Sequence, residues 1–149
     1  MAFPKMMASQ STLLTVHFNF SEDLKTAIES RRVAYGRNFS RQIRYYLDFA
    51  VTLFRNEKRF YLIPKKVDLG PYPCEKRVEI NRSDLEFLEQ TARDRGITLA
   101  HQLRELIRAG MELVDQLNRP ELPLCEEELM RRARKALEER YLQAYQTKA

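Results

Sequence analysis

Cysteine is nearly absent from this sequence: two residues in 149, Cys74 and Cys125, far apart and in no CxxC spacing. Neither a disulfide framework nor a cysteine-based zinc site is indicated, and two isolated thiols fit a reducing, cytoplasmic setting. Histidine is as scarce, with His17 and His101 alone. Neither has a Ser or Cys partner at a spacing used for nucleophilic catalysis, and no carboxylate cluster looks like a metal site. The expectation is a protein that is not an enzyme, with no cofactor and no metal. Tryptophan is missing altogether, and the seven Tyr and eight Phe fall mostly at core spacing, which leaves little for a platform that stacks single-stranded nucleic acid. Long apolar runs are lacking too. The start, Met1 to Lys5, has no signal-peptide stretch, and the longest run, Leu47 to Phe54, is broken by Asp48 and Thr52, far short of a membrane span. A soluble, cytoplasmic protein with no membrane partner is expected.

What the chain does have is charge and repetition. Charged residues make up 32% of it and the formal net charge is +5, with a pI near 9.3, so acidic partners are expected. The excess is local. Residues 1 to 60 hold ten Lys/Arg against five Asp/Glu, and the remainder holds sixteen of each.

The repetition has a spacing of sixty residues. Ile28, Gly36, Gln42, Ile43, Arg44, Leu47 and Leu53 recur without a gap as Leu88, Gly96, Gln102, Leu103, Arg104, Ile107 and Leu113. A short alternating segment precedes each copy. Val16, Phe18 and Phe20 share one face in the first, and Val78 and Ile80 in the second, as a half-buried strand requires. Ser21 is placed to cap the next helix, with Glu22 and Asp23 where the dipole favours acids. Leu24, Ala27 and Ile28 line its inner face, and Gly36 suits its stop. Asn38 then caps a helix whose Phe39, Ile43, Tyr46, Leu47, Ala50, Val51 and Phe54 form a wide apolar stripe. The second copy repeats the plan: Asn81 or Ser83 as cap, Leu85 and Leu88, Gly96 as stop, Thr98 as cap. Its stripe is Leu99, Leu103, Leu106, Ile107, Met111, Leu113 and Val114. One such unit cannot bury its own apolar face, so the two are expected to fold on each other.

The resulting divisions are an N-terminal arm over 1–11, expected to be disordered, a first unit over 12–55 and a linker over 56–73. A second unit covers 74–118 and a C-terminal amphipathic segment 119–149. The linker is punctuated by Pro64, Gly70, Pro71 and Pro73. Its Phe60-Tyr61-Leu62-Ile63 run reads either as a stray strand or as a segment packed on the core. The last segment predicts a helix from about Glu126 to Tyr145, with Leu129, Ala133, Ala136, Leu137 and Tyr141 on one side.

Strand, helix, glycine turn and a second helix opening on Gln-(Ile/Leu)-Arg resemble the ribbon-helix-helix (Arc/MetJ-type) superfamily. The matching stretches are Gly36-Arg37-Asn38-Phe39-Ser40-Arg41-Gln42-Ile43-Arg44 and Gly96-Ile97-Thr98-Leu99-Ala100-His101-Gln102-Leu103-Arg104. Two copies in one chain are similar to TraY-type conjugation proteins. The resemblance implies a mainly α fold with a short antiparallel β-ribbon, two tandem units forming an intramolecular pseudo-dimer, and a C-terminal helix. It also implies that the ribbon enters the major groove of double-stranded DNA.

Carried over by position, the base-contacting side chains would be Thr15, His17 and Asn19 on the first strand and Glu75, Arg77 and Glu79 on the second. Asn can pair with adenine and Arg with guanine. Glu79 has a second reading, in which it only pairs across to the first strand. Phosphates would be held at the starts of the second helices, where free N–H groups and the dipole attract anions: Arg37, Asn38, Phe39, Ser40 and Arg41 in the first unit, Thr98, Leu99 and Ala100 in the second. Ile97 and His101 stand where the first unit has Arg37 and Arg41, so the first half should grip harder. Arg44 and Arg104 are read as structural, pairing with acids or helix ends. Arg31-Arg32 and Lys65-Lys66 either reach phosphates or are simply solvated. The C-terminal helix, with Arg131, Arg132, Arg134 and Lys135 balanced by glutamates, is expected to serve packing or self-association. The function implied is site-specific DNA binding, most simply by a transcriptional repressor. The alternatives are a relaxosome accessory protein at a plasmid transfer origin, or an antitoxin-like protein whose C-terminal helix holds a partner.

Overall fold

The computed structural model describes residues 13–56 and 69–148, with side chains through residue 143. The arm over 1–11, the Phe60-Tyr61-Leu62-Ile63 run and the Lys65-Lys66 pair lie outside the described residues. Among the described residues the chain is mainly helical, with one two-stranded antiparallel sheet. In chain order the elements are β1 (Leu13–Phe20), α1 (Glu22–Tyr35), α2 (Phe39–Asn56), β2 (Cys74–Asn81), α3 (Arg82–Arg95), α4 (Leu99–Leu117) and α5 (Glu126–Lys148). β1, α1 and α2 therefore begin sixty residues, to within a residue, before β2, α3 and α4.

The local chemistry accounts for these boundaries. Ser21 Oγ accepts from the Leu24 amide at 3.1 Å, and Glu22 and Asp23 occupy the first turn of α1. Asn81, rather than Ser83, caps α3, its side chain accepting from the Ser83 amide at 2.8 Å. α1 and α3 stop in the same way. Gly36 and Gly96 take the left-handed conformation, with φ of 67° and 70°, which costs glycine nothing. The next amides then turn back to close the helix ends, Arg37 N to Arg32 O at 2.9 Å and Ile97 N to Ala92 O at 3.0 Å.

The strand register carries the same spacing. His17 lies opposite Arg77, and these two residues are also sixty apart. Exchanging the repeats therefore maps the pairing onto itself: Phe20↔Cys74 at one end becomes Leu14↔Ile80 at the other. A one-residue slip would destroy this correspondence and turn the apolar face outward.

The core forms where the ribbon underside meets the helices. Phe18, Phe20, Val78 and Ile80 are buried with Leu24, Ile28 and Leu88 beneath them. α2 and α4 supply most of the rest, as their stripes require, with Phe39 and Leu99 only half-buried. Phe49 and Leu53 are also buried, which widens the α2 stripe beyond the expected face because α5 covers it from the other side. The α2–α4 contact is close. A Cβ on Gly110 would lie 2.6 Å from the Tyr46 carbonyl oxygen, a contact that side chains do not tolerate. α5 packs with Leu129, Met130, Ala133 and Leu137 buried and Ala136 partly so. Tyr141 departs from the expected stripe: it is 36% exposed, because the helix has by then run past the core. No described helix is long and apolar enough to cross a membrane.

Candidate nucleic-acid interface

Alternation on the two strands puts Thr15, His17 and Asn19 and, opposite them, Glu79, Arg77 and Glu75 on one exposed face. All six expected ribbon residues are thus brought together, in register, on the surface away from the core. Their charges are not evenly disposed. His17 Nε2 meets Glu75 Oε1 diagonally across the strands, as a hydrogen bond from the neutral ring or an ion pair from the protonated one. The cross-strand partner expected of Glu79 is therefore found at Glu75 instead. Glu79 faces Thr15, and no ion pair holds it among the described residues.

Both helix starts flank this face through caps of the same geometry. Asn38 Oδ1 accepts from the Arg41 amide at 2.8 Å, and Thr98 Oγ1 accepts from the His101 amide at 3.1 Å. Each cap satisfies the third amide of its helix, and the amides at 39 and 40, and at 99 and 100, precede the first intrahelical bond. These positions keep the partial positive charge of the helix end.

Around those ends the halves part company. In the first, Arg41 is exposed, and Lys76 reaches across from β2 to donate to Ser40 Oγ, with its Nζ 5.7 Å from the Phe39 ring. Lys76 escaped the sequence reading because strand alternation assigns it inward, between Cys74 and Val78. The signal was there, since Val16 holds the same place in the first repeat and a lysine is out of character among apolar neighbours. Arg37 behaves differently from the expectation. Its guanidinium carbon sits 4.1 Å from the Tyr45 ring centroid and 4.9 Å from that of Tyr35, and Nη1 donates to Gln42 Oε1 at 3.2 Å. It is a half-buried brace, which leaves Arg41 and Lys76 as the cations at this helix start.

At the second helix start the charge is consumed internally. Glu105 accepts from Arg95 Nη2 at 2.6 Å and lies 3.4 Å from His101 Nε2. Ala100 replaces Ser40 and Val16 replaces Lys76, so the cationic bracket of the first half has no equivalent here.

The remaining arginines are mostly tied to acids. Arg31 donates through Nε and Nη2 to Asp115 at 2.8 and 2.7 Å, and Asp115 raises its already high pKa. Arg32 bonds Glu29 at 3.0 Å, so neither member of that pair is simply solvated. Arg44 lies 3.7 Å from Asp48, an acid as expected. Arg104 does something else: it donates to the backbone carbonyl of Asn19 at 3.0 Å. On α5, Arg131 and Arg132 hold Glu128 and lower its pKa to about 2. Both cysteines are free thiols, and among the described residues no group of three or more potential ligands could hold a metal ion.

No protein-family model matches this chain, and neither a curated protein nor a solved structure matches it.

Proposed function

We propose that this chain is a single-chain ribbon-helix-helix pseudo-dimer that binds double-stranded DNA at a specific, asymmetric site and regulates transcription by occupying it. The observation that carries this reading is the shared symmetry of ribbon and repeat, with His17 opposite Arg77 at its centre. Two units related in this way present one continuous two-stranded face, eight residues long on each strand, or ~26 Å at the usual rise per residue. A two-stranded β-ribbon is among the few elements that fit the major groove. The helix starts of α2 and α4 then lie on either side, where phosphates can meet free amides and, in the first half, Arg41 and Lys76.

Asymmetry follows from the same geometry. A homodimer places one residue twice about its dyad, whereas here the dyad falls between a histidine and an arginine. Asn19 and Arg77 are the residues best equipped to distinguish bases, and His17, Thr15, Glu75 and Glu79 complete the face. The protein contributes no chemistry in this reading; it acts through occupancy.

Selection of bound sequences from random duplex DNA at two salt concentrations tests the proposal. An enriched, non-palindromic site with affinity falling as salt rises is expected. A steep salt effect with no enriched sequence would overturn it. A site within a promoter fits regulation, and one at a plasmid transfer origin would make the same grip an accessory of conjugation.

A further inference from the structure

Each repeat carries an arginine in the second turn of its second helix, Arg44 and Arg104, and the two do different things. Arg104 Nη1 donates to the Asn19 carbonyl at 3.0 Å while its guanidinium carbon lies 3.8 Å from the Tyr72 ring centroid. Arg44 turns along its own helix to Asp48. The residue four positions on explains the split. Asp48 draws Arg44 down α2, whereas the corresponding residue on α4 is Arg108, which is 3% exposed and directed at Asp23 at 3.4 Å. A like charge gives Arg104 no reason to leave the strand. Tyr72 has no counterpart either, since the residue sixty positions earlier is Thr12.

We infer that Arg104, clamped by Tyr72, is a positioning residue for the ribbon. It fixes the Asn19–Glu75 end, while among the described residues no α2 side chain bonds the strand backbone at the Thr15–Glu79 end. This rests on the proposed DNA reading, and adds to it that the Asn19 end of the ribbon discriminates bases more sharply than the Thr15 end. An isolated two-stranded ribbon is marginally stable, and base-edge hydrogen bonds need their donors held to about 0.5 Å. A planar guanidinium stacked on a ring and bonded to the backbone supplies that restraint to Asn19.

Two measurements test it, one of them independent of DNA. In the random-duplex selection, Arg104→Ala and Tyr72→Ala should flatten preference at the same base pairs as Asn19→Ala, by about tenfold. Arg104→Lys, which keeps the charge but not the planar stack, should restore it only in part. A uniform loss of affinity with the preferences intact would overturn the inference and make Arg104 a phosphate contact. Unchanged binding would overturn it as well. In amide hydrogen exchange on the free protein, Arg104→Ala should speed exchange about tenfold at residues 18–20 and 74–76, and leave 14–16 and 78–80 at the wild-type rate. Equal rates at both ends would sink the inference whatever the DNA result. A wild-type chain that enriches no sequence, yet shows the unequal exchange, would defeat the DNA reading and leave the clamp standing.

Discussion

The halves spanning 13–56 and 74–117 agree in strand register, helix starts, glycine stops and buried stripe, and disagree in almost every polar fitting. The first helix start is bracketed by Arg41 and Lys76, and the second by His101, Glu105 and a valine in place of the lysine. Gln102 is fully bonded, and Gln42 is not. Ala50 stands where the second half has Gly110, and Asp48 where it has Arg108. Core positions are locked to one another, because each half completes the other's burial. The polar positions answer only to local partners and to whatever binds, so they are free to differ. Breaking or exchanging these fittings is the most direct way to learn which differences matter.

The largest effect is expected at the helix crossing. Gly110→Ala should lower unfolding free energy by about 2–3 kcal/mol, since the new methyl meets backbone that cannot move aside cheaply. Its counterpart Ala50→Gly should cost only about 1 kcal/mol through helix propensity. Urea unfolding of both variants checks the pair. A stabilised Gly110→Ala protein, as at an ordinary helical glycine, would mean that the helices are not in this contact.

The two buried glutamines come next. Gln102 Nε2 donates to the Leu88 carbonyl at 2.7 Å and to Thr91 Oγ1 at 2.8 Å, and Oε1 accepts from Arg95 at 2.7 Å. Gln42 is as deeply buried, but its Nε2 and the hydroxyl of adjacent Tyr46 have no hydrogen-bond partner among the described residues. Burial pushes the Tyr46 hydroxyl well above the ordinary tyrosine range, so it stays protonated. Gln102→Leu should therefore cost about 1–2 kcal/mol and Gln42→Leu less, because Gln42 gives up only the bond that its Oε1 accepts from Arg37 and its buried donor is already unsatisfied. Equal losses would show that the first network is as complete as the second.

DNA affinity should divide along the same line. Arg41→Ala and Lys76→Ala should each weaken binding by about 1 kcal/mol at low salt and reduce the salt slope by about one unit. His101→Ala should leave both nearly unchanged. Titrations of a selected duplex over a salt series make the comparison. A His101 effect as large as that of Lys76 would erase the proposed difference in grip.

The fold was largely legible in the residues because its signals are local and periodic. Gly36 and Gly96, Ser21 and Asn38, and the alternation on both strands each specify geometry through their own backbone. The ribbon face followed from that alternation. What escaped depends on contacts across the structure. Lys76 sits at an inward strand position and only the fold shows it emerging at Ser40. Arg37 has the charge of a phosphate contact, yet lies on two tyrosine rings that the turn brings together. Arg104 bonds a strand eighty-five residues away. Tyr141 falls on the apolar side of α5 by periodicity, but the core ends before it. Periodicity gives the direction of a side chain, and long-range contact decides how deeply it is covered.

The smallest effect separates the opposite charges at 48 and 108. Partial desolvation raises the pKa of the Asp48 carboxyl, although its side chain stays largely exposed, with Asp84 and Glu126 adding to it and Arg44 opposing. A carboxyl that holds its proton more tightly when folded is a liability while ionised, so this residue costs stability at neutral pH. Acidification through the raised folded value removes the penalty, and the gain levels off below the ordinary aspartate value of 3.8. Asp48→Asn should consequently be slightly more stable than wild type at pH 7, by less than about 0.5 kcal/mol for so exposed a side chain. The advantage should shrink toward pH 4 as Asp48 itself takes up a proton, since the other carboxylates titrate alike in both proteins. Urea midpoints of the two proteins at pH 7 and pH 4 measure the difference. A variant less stable than wild type at pH 7 would show that the Arg44–Asp48 pair outweighs the burial of the carboxylate, and that the first half gains from diverting its arginine away from the strand.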